Sequence, residues 1–341
     1  MTQVSITSAA LSDVGLKRKE NQDNYLVSDG MFLVADGMGG GVSGQVASAT
    51  ALEKLNALTT VTTRTRDDID ECLLQAQKEV RDLGLAQNAV SGTTLTGLIL
   101  KDLTTLDSDK NSWYIVNVGD SRTYHLNADG HGGWDAQSFL QITHDHSERQ
   151  EAIDSGRLLP DMANRLVPRN IITQAVGSPS GIAPDYFQAD LTGRFVVCSD
   201  GIHSELTDDQ ISAIVSQSDS PSDISHALVD AAMAQGGHDN ITVIVVDVDT
   251  ADMDAAVEDA AADATLDPHS DAADAPISDT ATTAAIPATS RKLAPTPADS
   301  WSMSVIGPGE DIDSMNDSTL ETLRTTRAQG ETSEDSRSPQ A

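Results

Sequence analysis

The chain has 341 residues and a formal net charge of −32, with 53 acidic against 21 basic side chains. That length allows one large domain or two ordinary ones, and the missing basic surplus excludes a nucleic-acid binder that works by neutralising phosphates. Cys72 and Cys198 are the only cysteines; they suit a reducing compartment, offer no thiolate metal site and read as small buried hydrophobes. The N-terminus lacks the apolar core of a signal peptide, and no apolar run approaches the ~18 residues of a membrane span. The expectation is a soluble, cytoplasmic protein with no membrane segment.

In chain order, runs rich in Val, Ile, Leu and Thr predict strands at 3–10, 31–36, 93–100, 112–118, 121–126, 138–142, 194–199 and 241–248. Helical spacing of apolar residues predicts helices over 43–58 and 67–84, and again over 207–217 and 222–237. Strands cluster between the helix pairs instead of alternating with them, which favours α+β with antiparallel sheets over a doubly wound parallel sheet. Composition then shifts near residue 250. From Ala251 onward, 18 Asp and Glu face 5 Lys and Arg, and Trp301 is the only aromatic. Such a segment buries too little apolar surface to offset chain entropy. The expected organisation is a folded domain over 1–248 and a disordered, acidic tail rich in Ala, Thr, Ser and Pro over 249–341.

The stretch "FLVADGMGGG" (32–41) joins an apolar run to an aspartate and a cluster of glycines. A tight turn, a nucleotide phosphate site and a metal site all fit it. Gly39, Gly41 and Gly44 match the dinucleotide fingerprint, but "TTVTTRTRDD" (59–68) is too polar for the second strand which that site needs. No Gly-Lys-Ser/Thr follows for a P-loop, and an EF-hand loop is also missing. Asp36 has company, however. "YIVNVGDS" (114–121) and "RFVVCSDG" (194–201) also end apolar runs in aspartate, and "GGHDNITVIVV" (236–246) places Asp239 and Asn240 just before one. A single Asp-Gly after a strand usually marks only a turn. Four such ends meeting would crowd Asp36, Asp120, Asp200 and Asp239, and like charges there must be protonated or balanced by cations. Hard oxygen donors suit Mg2+ or Mn2+, whereas zinc would usually recruit His or Cys. Two ions about 3.5–4 Å apart can share a water and lower its pKa.

These motifs, with "SDVGLKRKENQDNY" (12–25), "SGTTLTGLIL" (91–100) and "ITHDHS" (142–147), resemble in order and spacing the bacterial type 2C (PPM family) metal-dependent Ser/Thr protein phosphatases. The resemblance covers essentially all of residues 1–248. It implies a four-layer αββα sandwich of two antiparallel sheets flanked by helix pairs. It also implies hydrolysis of phosphoserine and phosphothreonine in proteins by a water bridging two Mn2+ or Mg2+ ions. Asp36 would bridge the ions, with the Gly37 carbonyl on one and Asp200 and Asp239 on the other side of the pair. Asp120 would help to hold a third, weaker ion. Asp23 would orient metal-bound water, Arg18 would bind the substrate phosphate and Asn240 would support the metal carboxylates. Implied partners are phosphorylated proteins, including a Ser/Thr protein kinase, met by a monomer.

Two positions depart from the family pattern. Met38 stands where eukaryotic relatives carry a histidine that is a candidate general acid, and Gln22 stands where many members have a glutamate. His144 and His146 alternate like a metal pair, but without Cys or a third His they read as part of a loop opening a flap over 148–176. The rival reading is a catalytically silent phosphoprotein-binding adaptor of the same fold, against which the intact Asp36, Asp200 and Asp239 speak. Hydrolysis of small phosphate monoesters alone is a third reading.

Overall fold

The computed structural model describes residues 2–39, 42–86, 91–105, 111–217, 220–252 and 304–306. Alternation along single strands decides its architecture. In β3 (Met31–Gly39), Met31, Leu33 and Ala35 enter one apolar cluster while Phe32 and Val34 enter another. β11 (Ile241–Asp252) does the same, with Ile241, Val243 and Val245 on one side and Ile244, Val246 and Val248 on the other. Strands buried on both faces must lie between two layers, because successive side chains point to opposite sides of a sheet.

The cluster that β3 and β11 share is the middle of a sandwich, filled by Trp113, Phe187 and Phe195 with aliphatic neighbours. One sheet runs β1 (Thr2–Asp13), β11, β10 (Gly193–Cys198), β7 (Arg122–Leu126) and β8 (Leu140–Gln141). The other runs β12 (Ser304–Ile306), β9 (Asp185–Ala189), β6 (Trp113–Val118), β5 (Leu95–Leu100), β3 and β2 (Asp23–Ser28), with β4 (Ser91–Thr93) pairing the end of β3. Every pairing is antiparallel. Helices α1 (Val42–Asn56) and α2 (Arg66–Ala86) cover the outer face of the second sheet through Ala47, Leu55, Ile69 and Leu73. After α3 (Glu148–Asp154), α4 (Pro160–Leu166) and the short α5 (Asp200–His203), α6 (Asp208–Val215) and α7 (Pro221–Gln235) cover the first sheet. The α+β, four-layer expectation holds.

Differences from the predicted elements have local causes. β3 runs on through Asp36 to Gly39, because Gly37, Met38 and Gly39 pair with Thr93, Gly92 and Ser91. The glycines near Asp36 are therefore partly strand. Gly37 has no room for a side chain: a Cβ there would lie 2.1 Å from the Gly44 carbonyl oxygen. β11 passes the expected boundary at 248 and reaches Asp252, held by pairing with Thr2–Asp13. Ser304–Ile306, inside the tail expected to be disordered, forms a strand on β9. Val305 and Ile306 are residue types that favour strands. The rest of the expected tail, 253–303 and 307–341, lies outside the described residues.

A buried ion pair ties the first sheet to its helices. Arg194 donates to both carboxylate oxygens of Asp247 at 2.6 and 2.7 Å and to the Val215 carbonyl at 2.7 Å. Its side chain is fully buried. Removing one partner from such a pair leaves an uncompensated charge in low dielectric. Asp247→Ala is expected to destabilise the fold by about 3–5 kcal/mol. Replacing both residues with apolar side chains of similar volume should recover most of that loss, as read by denaturant unfolding.

Candidate active site

Sheet direction brings the acids together. β3 carries Asp36 near its C-terminal end, β6 leads into Gly119 and Asp120, and β10 leads into Ser199 and Asp200. β11 runs the other way, so Asp239 and Asn240 sit just before its start. All four aspartates line one cleft of about 260 Å³, together with Arg18, Gln22, Gly37, Met38, Thr94, Asn170, Ile172 and Asn240. Asp23 lies just beneath, paired with Asp36 across β2 and β3. The candidate residues read from the sequence thus converge on one end of the sandwich.

The electrostatics of this end are unfavourable by design of the strand ends. Burial, and then the neighbouring carboxylates Asp23, Asp200, Asp120 and Asp239, push the Asp36 carboxyl well above the usual range. Burial and the charges of Asp120 and Asp239 push Asp200 up to about 8. Burial and Asp145 push Asp120 to about 7, and burial pushes Asp23 to about 6. Asp23 also accepts a hydrogen bond from Ser199 Oγ at 2.7 Å. Among the described residues, Asp200 Oδ1 and Asp23 Oδ1 are buried without a hydrogen-bond partner. Crowded acids with orphaned oxygens are what a missing positive charge leaves behind.

Whether divalent cations fit depends on how many donors each one needs. Among the described residues no three His, Cys, Asp or Glu side chains draw close enough to enclose one ion directly. A closed cage is therefore absent. Mg2+ and its analogues keep several waters and need only one or two carboxylates each, so the open, all-oxygen set of Asp36, Asp120, Asp200 and Asp239 fits them. A Cβ on residue 44 would stand 2.8 Å from the Gly37 carbonyl oxygen, so glycine at 44 keeps the space beside that carbonyl open.

Arg18 holds Asp239 Oδ2 through Nη2 at 2.6 Å, and its side chain is half exposed at the mouth. Asn240 makes contacts through both its side chain and its backbone. Its Oδ1 accepts the Gln22 N–H at 2.9 Å, and its Nδ2 donates to the Val14 and Glu20 carbonyls at 3.0 and 2.9 Å. The amide side chain fastens the segment carrying Arg18, while the Asn240 backbone N–H braces Asp239 Oδ1 at 2.8 Å. Gln22 donates weakly to the Gly39 carbonyl at 3.4 Å and packs on Gly44.

Several supporting residues escaped the sequence reading. Thr94 Oγ1 accepts the Asp36 N–H at 2.9 Å, and Thr93 Oγ1 donates to the Asp36 carbonyl at 2.9 Å. The paired threonines in "SGTTLTG" were the available signal. His146 Nδ1 accepts the Gly119 N–H at 3.1 Å, its Nε2 meets Asp185 at 3.1 Å, and its own N–H returns to the Gly119 carbonyl at 2.9 Å. His144 stacks on Phe187. Neither histidine lines the cleft, in keeping with the loop reading. The expected flap consists of α3, α4 and a return segment whose Asn170 and Ile172 reach the cleft. It is pinned to the domain by Arg169 Nη1 on the Ser204 carbonyl and braced internally by Arg149 on the Val167 carbonyl at 2.8 Å.

Comparison with known proteins agrees with this geometry. No family model matches the chain. Protein phosphatase PhpP of Streptococcus pneumoniae is 32% identical over 255 residues, covering 71% of this chain and 97% of PhpP. Serine/threonine protein phosphatase PstP of Mycobacterium tuberculosis is 30% identical over 251 residues, 70% of this chain, which spans only 44% of PstP's length. The PstP catalytic domain in complex with two manganese ions superposes with a TM-score of 0.61 at 28% identity, over 72% of this chain and 99% of that one. The PPM Ser-Thr phosphatase MsPP of Mycobacterium smegmatis, in complex with cacodylate, gives 0.60 at 33% identity, over 71% and 97%. With the sandwich, the strand-end aspartates and these relatives in agreement, the chain belongs to the bacterial PPM (type 2C) family of Ser/Thr protein phosphatases.

Proposed function

We propose that the chain hydrolyses phosphoserine and phosphothreonine in proteins and opposes a Ser/Thr protein kinase, acting as a cytoplasmic monomer. The observation that carries this reading is the gathering of Asp36, Asp120, Asp200 and Asp239 in one cleft with Arg18 at its mouth. The manganese pair of PstP supports it. Among the described residues no helix is long and apolar enough to cross a membrane.

Two divalent cations, Mn2+ or Mg2+, would when bound neutralise the carboxylates and acidify a shared water for attack on phosphorus. Asp36, Asp200 and Asp239 would hold them, with Asp120 serving a third. Asp23, buried against Asp36 and Ser199, would fix how the Asp36 carboxylate presents its oxygens. Arg18 offers a planar guanidinium to the phosphate oxygens, a match that adds orientation to charge. Binding substrate would exchange its contact with Asp239 for one with phosphate. The P–O bond to the seryl or threonyl oxygen breaks, and that oxygen needs a proton. Met38 cannot donate one and, among the described residues, no histidine lines the cleft, so we assign that proton to water.

Four outcomes test this reading. A phosphothreonine peptide should be turned over with Mn2+ or Mg2+ and not with chelator. Asp36→Asn and Asp239→Asn should each lower kcat by several orders of magnitude, while full turnover in metal-free buffer would eliminate the two-cation mechanism. Arg18→Ala should act mainly on KM, raising it about tenfold to a hundredfold, the worth of a hydrogen bond to a charged group of about 1.5–3 kcal/mol. The fourth outcome concerns pH. Asp120 and Asp200 titrate near 7 and 8 in the fold, above the unfolded value near 3.8. The fold therefore binds protons that the unfolded chain has released between about pH 4 and pH 8, and stability falls as pH rises through that window. Urea unfolding of chelator-treated protein should show the fall from pH 5 to pH 8, and Mg2+ should reverse it at pH 8. A flat profile would show that the acids are not crowded.

A further inference from the structure

Residues 14–20 form a loop whose two ends meet on one side chain. Asn240 Nδ2 donates to the Val14 carbonyl at 3.0 Å and to the Glu20 carbonyl at 2.9 Å. Extended chain would set these two carbonyls up to about 21 Å apart, so the segment between them doubles back as a closed arch. Further ties hold its shape. Asp13 Oδ1 accepts the Gly15 N–H at 2.8 Å, the Leu16 N–H donates to the Gly237 carbonyl at 2.8 Å, and Asn21 Nδ2 donates to Ser12 Oγ at 2.8 Å. Gly15 has a φ of +75°, and a Cβ there would lie 2.1 Å from the Asp239 carbonyl oxygen. The arch therefore rests directly on the segment that carries Asp239.

Lys17, Arg18 and Lys19 stand in the middle of the arch, and all three are exposed. No other run of three basic residues occurs in this chain of net charge −32. Arg18 lines the cleft and holds Asp239. Among the described residues, Lys17 and Lys19 have no carboxylate partner. The acids nearest to them in sequence, Asp13 and Glu20, lie at the feet of the arch. Solubility does not account for the two lysines, because a chain this acidic is already far from neutrality.

We propose that Lys17 and Lys19 select phosphoprotein substrates that carry Asp or Glu beside the phosphorylated residue. The inference rests on the phosphatase reading above and names the class of substrate that the cleft favours. With a substrate phosphate on Arg18, the residues next to the phosphorylated one lie beside the arch. Each lysine stands one residue, about 3.8 Å, from Arg18 along the backbone. Its ammonium rides on a flexible four-carbon stem, so carboxylates at those positions come within its range. The pair also offsets, at the mouth of the cleft, the field of an acidic protein that would otherwise repel an acidic substrate. An exposed ion pair contributes a factor of up to about 5 at low salt, so two lysines give an expected preference of about fivefold to tenfold.

The test gives the full chain two phosphothreonine peptides in Mn2+ buffer. They are identical except for Asp or Asn at the two positions on each side of the phosphorylated residue. At low salt kcat/KM should be about fivefold to tenfold higher for the Asp peptide, through KM, and the ratio should shrink toward one in about 0.5 M NaCl. Lys17→Gln combined with Lys19→Gln should bring the low-salt ratio to about one, with hydrolysis of a small aryl phosphate left at the wild-type rate. Equal kcat/KM for the two peptides with the wild-type chain would overturn the proposal. A preference that survives in the double variant would overturn it too, since its source would lie elsewhere on the rim. Loss of aryl phosphate hydrolysis in that variant would overturn it by showing that the lysines serve the cleft itself. Turnover of neither peptide by the wild-type chain would instead overturn the phosphatase reading, and the selectivity with it.

Discussion

Bringing several carboxylates out of water into one another's field is costly, and the site is organised around that cost. Each aspartate alone would be an ordinary strand-end residue. Together, the half-buried Asp36 and Asp200 and the buried Asp120 and Asp23 sit where the charged form is disfavoured by desolvation and by its neighbours. Such a cluster persists only if the surrounding structure over-determines the backbone that carries it. The two threonines provide this at Asp36, one accepting its N–H and the other donating to its carbonyl. Ser199 takes one Asp23 oxygen, and the Asn240 backbone takes one of Asp239. The scaffold fixes the backbone and leaves other carboxylate oxygens unsatisfied.

The flap is joined to this cluster through backbone, not through a long chain of side chains. His146 exchanges two hydrogen bonds with Gly119, the residue before Asp120, and its carbonyl accepts the Thr173 N–H from the return segment of the flap. Ser147 bridges Ile172 within the same turn. On the other side, Arg169 reaches the carbonyl of Ser204, just past α5, whose first residue is Asp200. The segment bearing Asn170 and Ile172 is therefore tied at two points to loops that carry acids.

What the sequence made legible follows from how much periodicity each element carries. β3, β6, β10 and β11 are buried on both faces, so their apolar runs stand out, and the aspartates at their ends stand out with them. β2 was missed because only Asp23 is buried in it, and Tyr25 and Val27 face solvent. β9 is five residues long with polar Asp185 and Gln188, and α3 and α4 have seven residues each, too short to show a helical period. Asn240 was found, but the partners of its side chain were not. Its three side-chain hydrogen bonds reach residues 218 to 226 positions away in sequence, and no local pattern encodes that. The strand at Ser304–Ile306 was overlooked for a related reason: mean composition describes a long acidic segment well and hides three residues within it.

The sandwich also shows what a carboxylate looks like when function asks nothing of it. Asp247 and Asp200 sit toward opposite ends of the same pair of strands: Arg194, second in β10, pairs with Asp247, while Asp200 lies just beyond the other end of β10. Asp247 has both oxygens engaged by one guanidinium, and the third guanidinium contact goes to a backbone carbonyl, so charge and hydrogen bonds close locally. At the other end, among the described residues, the only guanidinium lining the cleft, that of Arg18, holds Asp239 alone and stands half exposed. A buried arginine placed among these acids would have quenched them as Arg194 quenches Asp247, and would also have excluded cations. Leaving the acids short of internal positive charge lowers stability, but it keeps their oxygens available to ions from solution. The apolar middle layer, filled by Trp113, Phe187 and Phe195, supplies the burial that lets the fold carry that deficit.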